Sequence, residues 1–69
     1  MYFKSKKQEK AFDFINSNVV FDDFMVNSFN HIVIDLNNLL DDEFQKVVEL
    51  TKNIDNIVIN KNHKKISIL

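Results

Sequence analysis

Few residues in this chain carry catalytic chemistry. There is no cysteine, and Ser5, Ser17, Ser28 and Ser67 lie in no glycine-rich elbow, because the chain contains no glycine at all. Loops that cradle phosphate need the close backbone approach that glycine permits, so dinucleotide and P-loop chemistry fall with the same absence. His31 and Asp35 share one face if their segment is a strand, where the carboxylate could orient the imidazole as a general base or metal ligand. The simpler reading is a pair facing solvent. His63 stands in Lys61-Asn62-His63-Lys64, whose cations oppose a metal. Asp22, Asp23, Asp41, Asp42 and Glu43 could gather around a hard cation, but no calcium-loop spacing is present and the glycine such loops require is missing. The expectation is a protein that is not an enzyme, with no cofactor and no metal.

Charge is distributed more tellingly than any single group. Residues 9–55 hold all ten acids and three lysines, Lys10, Lys46 and Lys52. The six lysines outside that span, Lys4, Lys6, Lys7, Lys61, Lys64 and Lys65, have no acid among them. Such lysine-rich ends could contact phosphate, which makes a small regulatory nucleic-acid-binding protein the second reading. Against it, there is no arginine for bidentate recognition, and Tyr2 and Phe3 are the aromatics beside those ends.

The acidic middle supports a different first reading: a non-catalytic protein-binding module, an inhibitor or adaptor. Its partner would be another protein, such as a nucleic-acid-binding host protein whose basic groove the carboxylates block, or a second copy of the chain. Small phage- or mobile-element-encoded inhibitors of host defence nucleases, anti-CRISPR-type proteins among them, are similar in being short, acidic, cysteine-poor and without a catalytic motif. This similarity is one of size and composition and covers no motif. The candidate contact residues are Asp22, Asp23, Asp41, Asp42, Glu43 and Glu49 on the acidic face, with Lys64 and Lys65 beside the last strand.

These groups need elements to position them. Sixty-nine residues make one domain, and a chain so short buries only about 60% of the surface its unfolded form exposes. Hydrophobic residues are 45% of the chain, enough for a core, yet no apolar run exceeds three residues, so no membrane span is expected and the expected location is cytoplasmic (the host cytoplasm for a viral protein). Gly, Pro, Arg, Trp and Cys are absent while Asn, Lys, Ile, Asp and Phe abound, a bias expected of an A/T-rich genome.

Without glycine or proline, turns fall to asparagine, which tolerates left-handed backbone well. The ten asparagines form five close pairs that cut the chain into six elements. Residues 5–15 read as a helix capped by Ser5, with Phe3, Ala11, Phe12, Phe14 and Ile15 on one side. Residues 19–26 lean towards a strand, although Phe21, Phe24, Met25 and Phe29 also fit a helical stripe. Residues 31–36 alternate as a strand. Residues 41–52 form a helix with Leu40, Phe44, Val47, Val48 and Thr51 on its apolar face and three acids in its first turn. Residues 57–59 and 65–69 read as a hairpin with Ile57, Ile59, Ile66 and Ile68 on one face.

The order α-β-β-α-β-β predicts a two-layer α+β domain, two helices on a four-stranded, mainly antiparallel sheet. The expected core is Phe12, Ile15, Ile32, Ile34, Phe44, Val48, Ile57 and Ile66. The last strand has no element after it to cover it; if it lies at the sheet's edge, its backbone groups are free to pair with another chain. Lys10–Phe14 also resembles Lys46–Leu50 in hydropathy, a likeness that any two amphipathic helices produce easily.

Overall fold

The computed structural model describes residues 3–69. Ser5 accepts a hydrogen bond from Gln8 N–H at 3.1 Å and opens α1, Lys6–Asn18. The helix closes where Val19 turns extended and donates its N–H to Ile15 O at 2.8 Å. β1 (Phe24–Val26) and β2 (Ile32–Asp35) follow, then α2 (Asp41–Thr51), β3 (Ile57–Asn60) and β4 (Lys65–Ile68). The first turn of α2 is held by its acids. Glu43 Oε1 accepts Leu40 N–H at 2.8 Å, and Asp42 Oδ1 accepts Glu43 N–H at 2.9 Å.

The sheet runs β1-β2-β4-β3 and every pairing is antiparallel. Both helices pack on one face. Ala11 and Ile15 of α1 and Phe44, Val47 and Val48 of α2 meet Ile32, Ile34, Ile57, Ile66 and Ile68, with Val19 and Leu36 completing the buried set. The expected two-layer α+β fold is what the chain adopts.

Four local expectations need correction. The second element is a strand for three residues only. Val19 is committed to capping α1, and Phe21 packs into the aromatic cluster from an irregular segment, 6.2 Å from Phe12 and 6.4 Å from Phe24 between ring centroids. Leu40 does not join the apolar face of α2. It precedes the first helical residue with extended backbone, and 68% of it is exposed. Phe12 is half-buried among Phe3, Phe21 and Phe24 rather than fully enclosed. Finally, β4 is not an edge. It lies between β2 and β3, with Ile66 opposite Ile34 on one side and Ile59 on the other.

That order gives the chain an internal two-fold pattern. Each half contributes a helix, then an edge strand, then a central strand. Gln8, Ala11, Phe12 and Ile15 repeat the spacing of Phe44, Val47, Val48 and Thr51, and seven of the eight are buried, Phe12 being the half-buried one. Polar groups that the core encloses are satisfied. Gln8 Nε2 donates to Asn30 O at 2.6 Å and Ile68 O at 3.3 Å, while its Oε1 accepts Lys4 N–H at 3.0 Å. Asn56 Nδ2 donates to Lys7 O and Leu69 O, both at 3.3 Å.

The asparagines turn the chain mainly through their side chains. Asn30 alone among those described takes a left-handed backbone, at φ 60°. Asn27 Oδ1 instead accepts the N–H groups of Phe29 and His31, and Asn60 Oδ1 accepts that of His63. The other left-handed residue is Lys64, at φ 50°.

Candidate functional site

Helices cover one face of the sheet, and strand alternation fixes what the other face carries. Registers Met25↔Val33, Val33↔Ser67 and Ser67↔Val58 set these four side chains in one row across all four strands. Met25 is 62% exposed and Val58 51%. Beyond β1, in the turn to β2, Phe29 is 73% exposed and lies against the His31 ring, 5.9 Å between centroids. The next row towards the opposite end is polar: Asp35, Lys65 and Asn60. A shallow depression of about 120 Å³ between the two rows is lined by Asp23, Phe24, Met25, Val33, Asp35 and Lys65. The surface is therefore a narrow apolar strip with a charged border.

The sheet's two edges are closed to the same extent. In an antiparallel ladder, alternate residues turn their N–H and C=O away from the partner strand. Asn27 N–H donates to His31 O, which sets the phase so that Phe24 and Val26 point outward from β1. Asp23 Oδ1 already takes Phe24 N–H at 2.8 Å. On β3, Leu69 N–H donates to Asn56 O, so Ile57 and Ile59 point outward. Ile57 N–H goes back to Ile54 O at 3.2 Å, and among the described residues neither Val26 of β1 nor Ile59 of β3 has an outward backbone partner.

The acidic residues singled out from sequence serve local structure first. Asp41, Asp42 and Glu43 form the first turn of α2, and Glu49 further along accepts from Lys52 Nζ at 2.9 Å. Asp22 and Asp23 stand before β1, at the end of the sheet where β2 gives way to the α2 connection. The structure does not merge these into one cluster. Among the described residues, no group of three or more His, Asp or Glu side chains stands close enough to hold a metal ion.

Lys64, a candidate contact residue, is engaged within the fold. Its ammonium reaches Asp41 Oδ1 at 2.7 Å and Leu39 O at 3.0 Å, tying the β3–β4 turn to the start of α2. The ammonium hydrogen-bonded to Asp41 holds that carboxyl below its ordinary value. Lys65 lies on a central strand, not at an edge. His31 and Asp35 share the open face as expected, but the Asp35 carboxylate is bonded to the backbone and side-chain nitrogens of Asn37, which, with Lys65 nearby, lower its pKa.

The apolar row was within reach of sequence reasoning. Alternation already placed Val33 opposite Ile32 and Ile34, and Val58 opposite Ile57 and Ile59. Only strand order was lacking to line them up. Compared with known proteins, the chain matches no family model, no curated protein and no solved structure. No helix among the described residues is long and apolar enough to cross a membrane.

Proposed function

We propose that this chain is a non-catalytic protein-binding module, an inhibitor or adaptor, that engages its partner through the uncovered sheet face. The observation that carries this reading is the row Met25–Val33–Ser67–Val58, apolar at three of four positions and left bare by both helices. Contiguous exposed apolar surface rimmed by polar groups is what protein contact sites present. Asp23 and Asp35 border the strip with one lysine, Lys65, so a partner with a basic rim, as nucleic-acid-binding proteins have, complements the acidic side of that border. A phage or mobile-element origin, with action in the host cytoplasm, belongs to the same proposal and rests on the A/T-biased composition.

The lysines do not favour nucleic acid as the partner. Lys4 and Lys7 stand at the sheet end where Gln8 bonds Asn30 and Ile68. Lys61, Lys64 and Lys65 stand at the other end of β4. They form no continuous track, and Lys6, Lys7 and Lys64 are each paired with a carboxylate.

Capture from a nuclease-treated cell lysate tests the reading. The double variant Met25→Glu/Val58→Glu should lose the captured protein without losing its fold, because both positions are exposed. The reversal Asp42→Lys/Glu43→Lys/Glu49→Lys should keep it. The opposite pattern would move the site to the start of α2, and loss of all capture on nuclease treatment would favour nucleic acid.

A further inference from the structure

The geometry points to the trough between α1 and α2 as a second docking surface, one that takes an acidic amphipathic helix of another protein. It lies on the opposite side of the sheet from the open strip, so its occupant and its test are independent of the contact proposed above.

The internal two-fold pattern extends to this surface. Two open grooves of about 370 Å³ and 320 Å³ lie along the seam between the helices. The first stands between the first half of α1, at Lys10 and Ala11, and the residues that follow α2, Ile54 and Asp55. The second stands between the residues that follow α1, Val19 and Val20, and the first half of α2, at Lys46 and Val47. The helices therefore run antiparallel, and Leu50, which borders both grooves, is the waist of one trough. The shift along the chain that takes Ala11 to Val47 also takes Lys10 to Lys46 and Phe14 to Leu50.

Charge selects the occupant. Three lysines and two carboxylates line the trough. Both carboxylates are engaged, Asp55 with Lys7 Nζ at 2.9 Å and Glu43 with Leu40 N–H at 2.8 Å. Lys10 and Lys46 are exposed, and among the described residues neither stands within ion-pair distance of a carboxylate. Asp13 and Glu49, at equivalent places on the two helices, line neither groove. The uncommitted charge at the trough is thus one lysine on the α1 side at one end and one on the α2 side at the other.

Shape selects a helix. The 13 residues of α1 span about 20 Å, which sets the length of the seam. Helices that dock in grooves do so through apolar anchors spaced at i, i+3, i+4 and i+7. Phe14 and Ile54 on one side of the waist, and Val20 and Val47 on the other, receive such anchors from successive turns. Acids on the two flanks of the incoming helix then reach Lys10 and Lys46.

A displayed library of random peptides of about 16 residues, long enough for a helix of that span, tests the assignment without a known partner. Selection runs on the wild type, with counter-selection on Leu50→Glu, whose site is exposed. The recovered peptides should carry helically spaced apolar residues and an excess of acids. Their affinity should fall about tenfold for Lys10→Glu/Lys46→Glu, since each reversal turns an attraction into a repulsion. It should also weaken with salt, and it should be unchanged for Met25→Glu/Val58→Glu. Failure to recover peptides that depend on Leu50, recovery of basic or aperiodic ones, or indifference to the lysine reversals would each overturn the proposal. Peptides lost with Met25→Glu/Val58→Glu would belong to the open face and overturn it too. A wild type that dimerises in sedimentation velocity, and stays monomeric as Leu50→Glu, would make the occupant a second copy and overturn the acidic-helix assignment. Each of those results leaves the open-face reading to its own capture experiment.

Discussion

Gln8 shows how much of this fold rests on one polar residue. Its side chain is buried on the inner face of α1, and it bonds the N-terminal segment, the β1–β2 turn and the end of β4 at once. Removing one partner from a buried hydrogen bond costs about 1–3 kcal/mol, because the groups left behind stay dry. Gln8→Leu should therefore lower the unfolding free energy by that amount, and the melting temperature by about 4–8 °C per kcal/mol in a domain this small. An unchanged midpoint in a guanidinium titration would mean that water replaces the amide. None of this was legible in the sequence. A glutamine within a helical stripe looks like surface, and its acceptors, Asn30 and Ile68, are distant along the chain. Ser5 was legible because a cap acts within three residues of itself.

The elements were read best where their own residues decide them. The alternation of Ile32, Val33 and Ile34 and the stripe Phe44, Val47, Val48 and Thr51 each settle a strand or a helix locally, and both stand in the structure. Residues 19–26 were misjudged in extent because tertiary packing, not propensity, draws Val19 and Phe21 inward. Four partnered carboxylates carry the pH sensitivity. Asp35 is bonded to Asn37, Asp41 to Lys64, Glu49 to Lys52 and Asp55 to Lys7, and each carboxyl is held below its ordinary value. A carboxylate whose folded pKa is depressed stabilises the fold above its unfolded pKa, and that contribution disappears as pH falls through the folded value. Melting temperature should thus be level near neutrality and decline below the ordinary values of 4.5 for Glu and 3.8 for Asp. Asp41→Asn should flatten that acid limb, as it removes the Lys64 contact at every pH. A melting temperature that rises on acidification would contradict the assignment.

For the molecule as a whole, strand order decided what sequence could not. Two helix–strand–strand halves meet with their second strands at the centre, which puts β4 inside the sheet and turns β1 and β3 outward. Alternation along one strand cannot report which strand lies beside it, so the sequence left open whether the last strand lies at an edge. The same order assembles Met25, Val33, Ser67 and Val58 into the row that the proposed function depends on. On the helical side, Leu50 divides two open grooves of about 370 Å³ and 320 Å³, the first floored by Ala11, Phe14 and Ile54 and the second by Val19, Leu39 and Val47, and this is the rival apolar surface. Methyl-resolved NMR of the chain bound to its captured partner separates the two faces in one spectrum. The methyl signals of Met25, Val33 and Val58 should shift or broaden on binding while those of Leu50, Val20 and Leu39 stay in place. Perturbation confined to Leu50, Val20 and Leu39, with Met25, Val33 and Val58 unmoved, would contradict binding through the uncovered sheet.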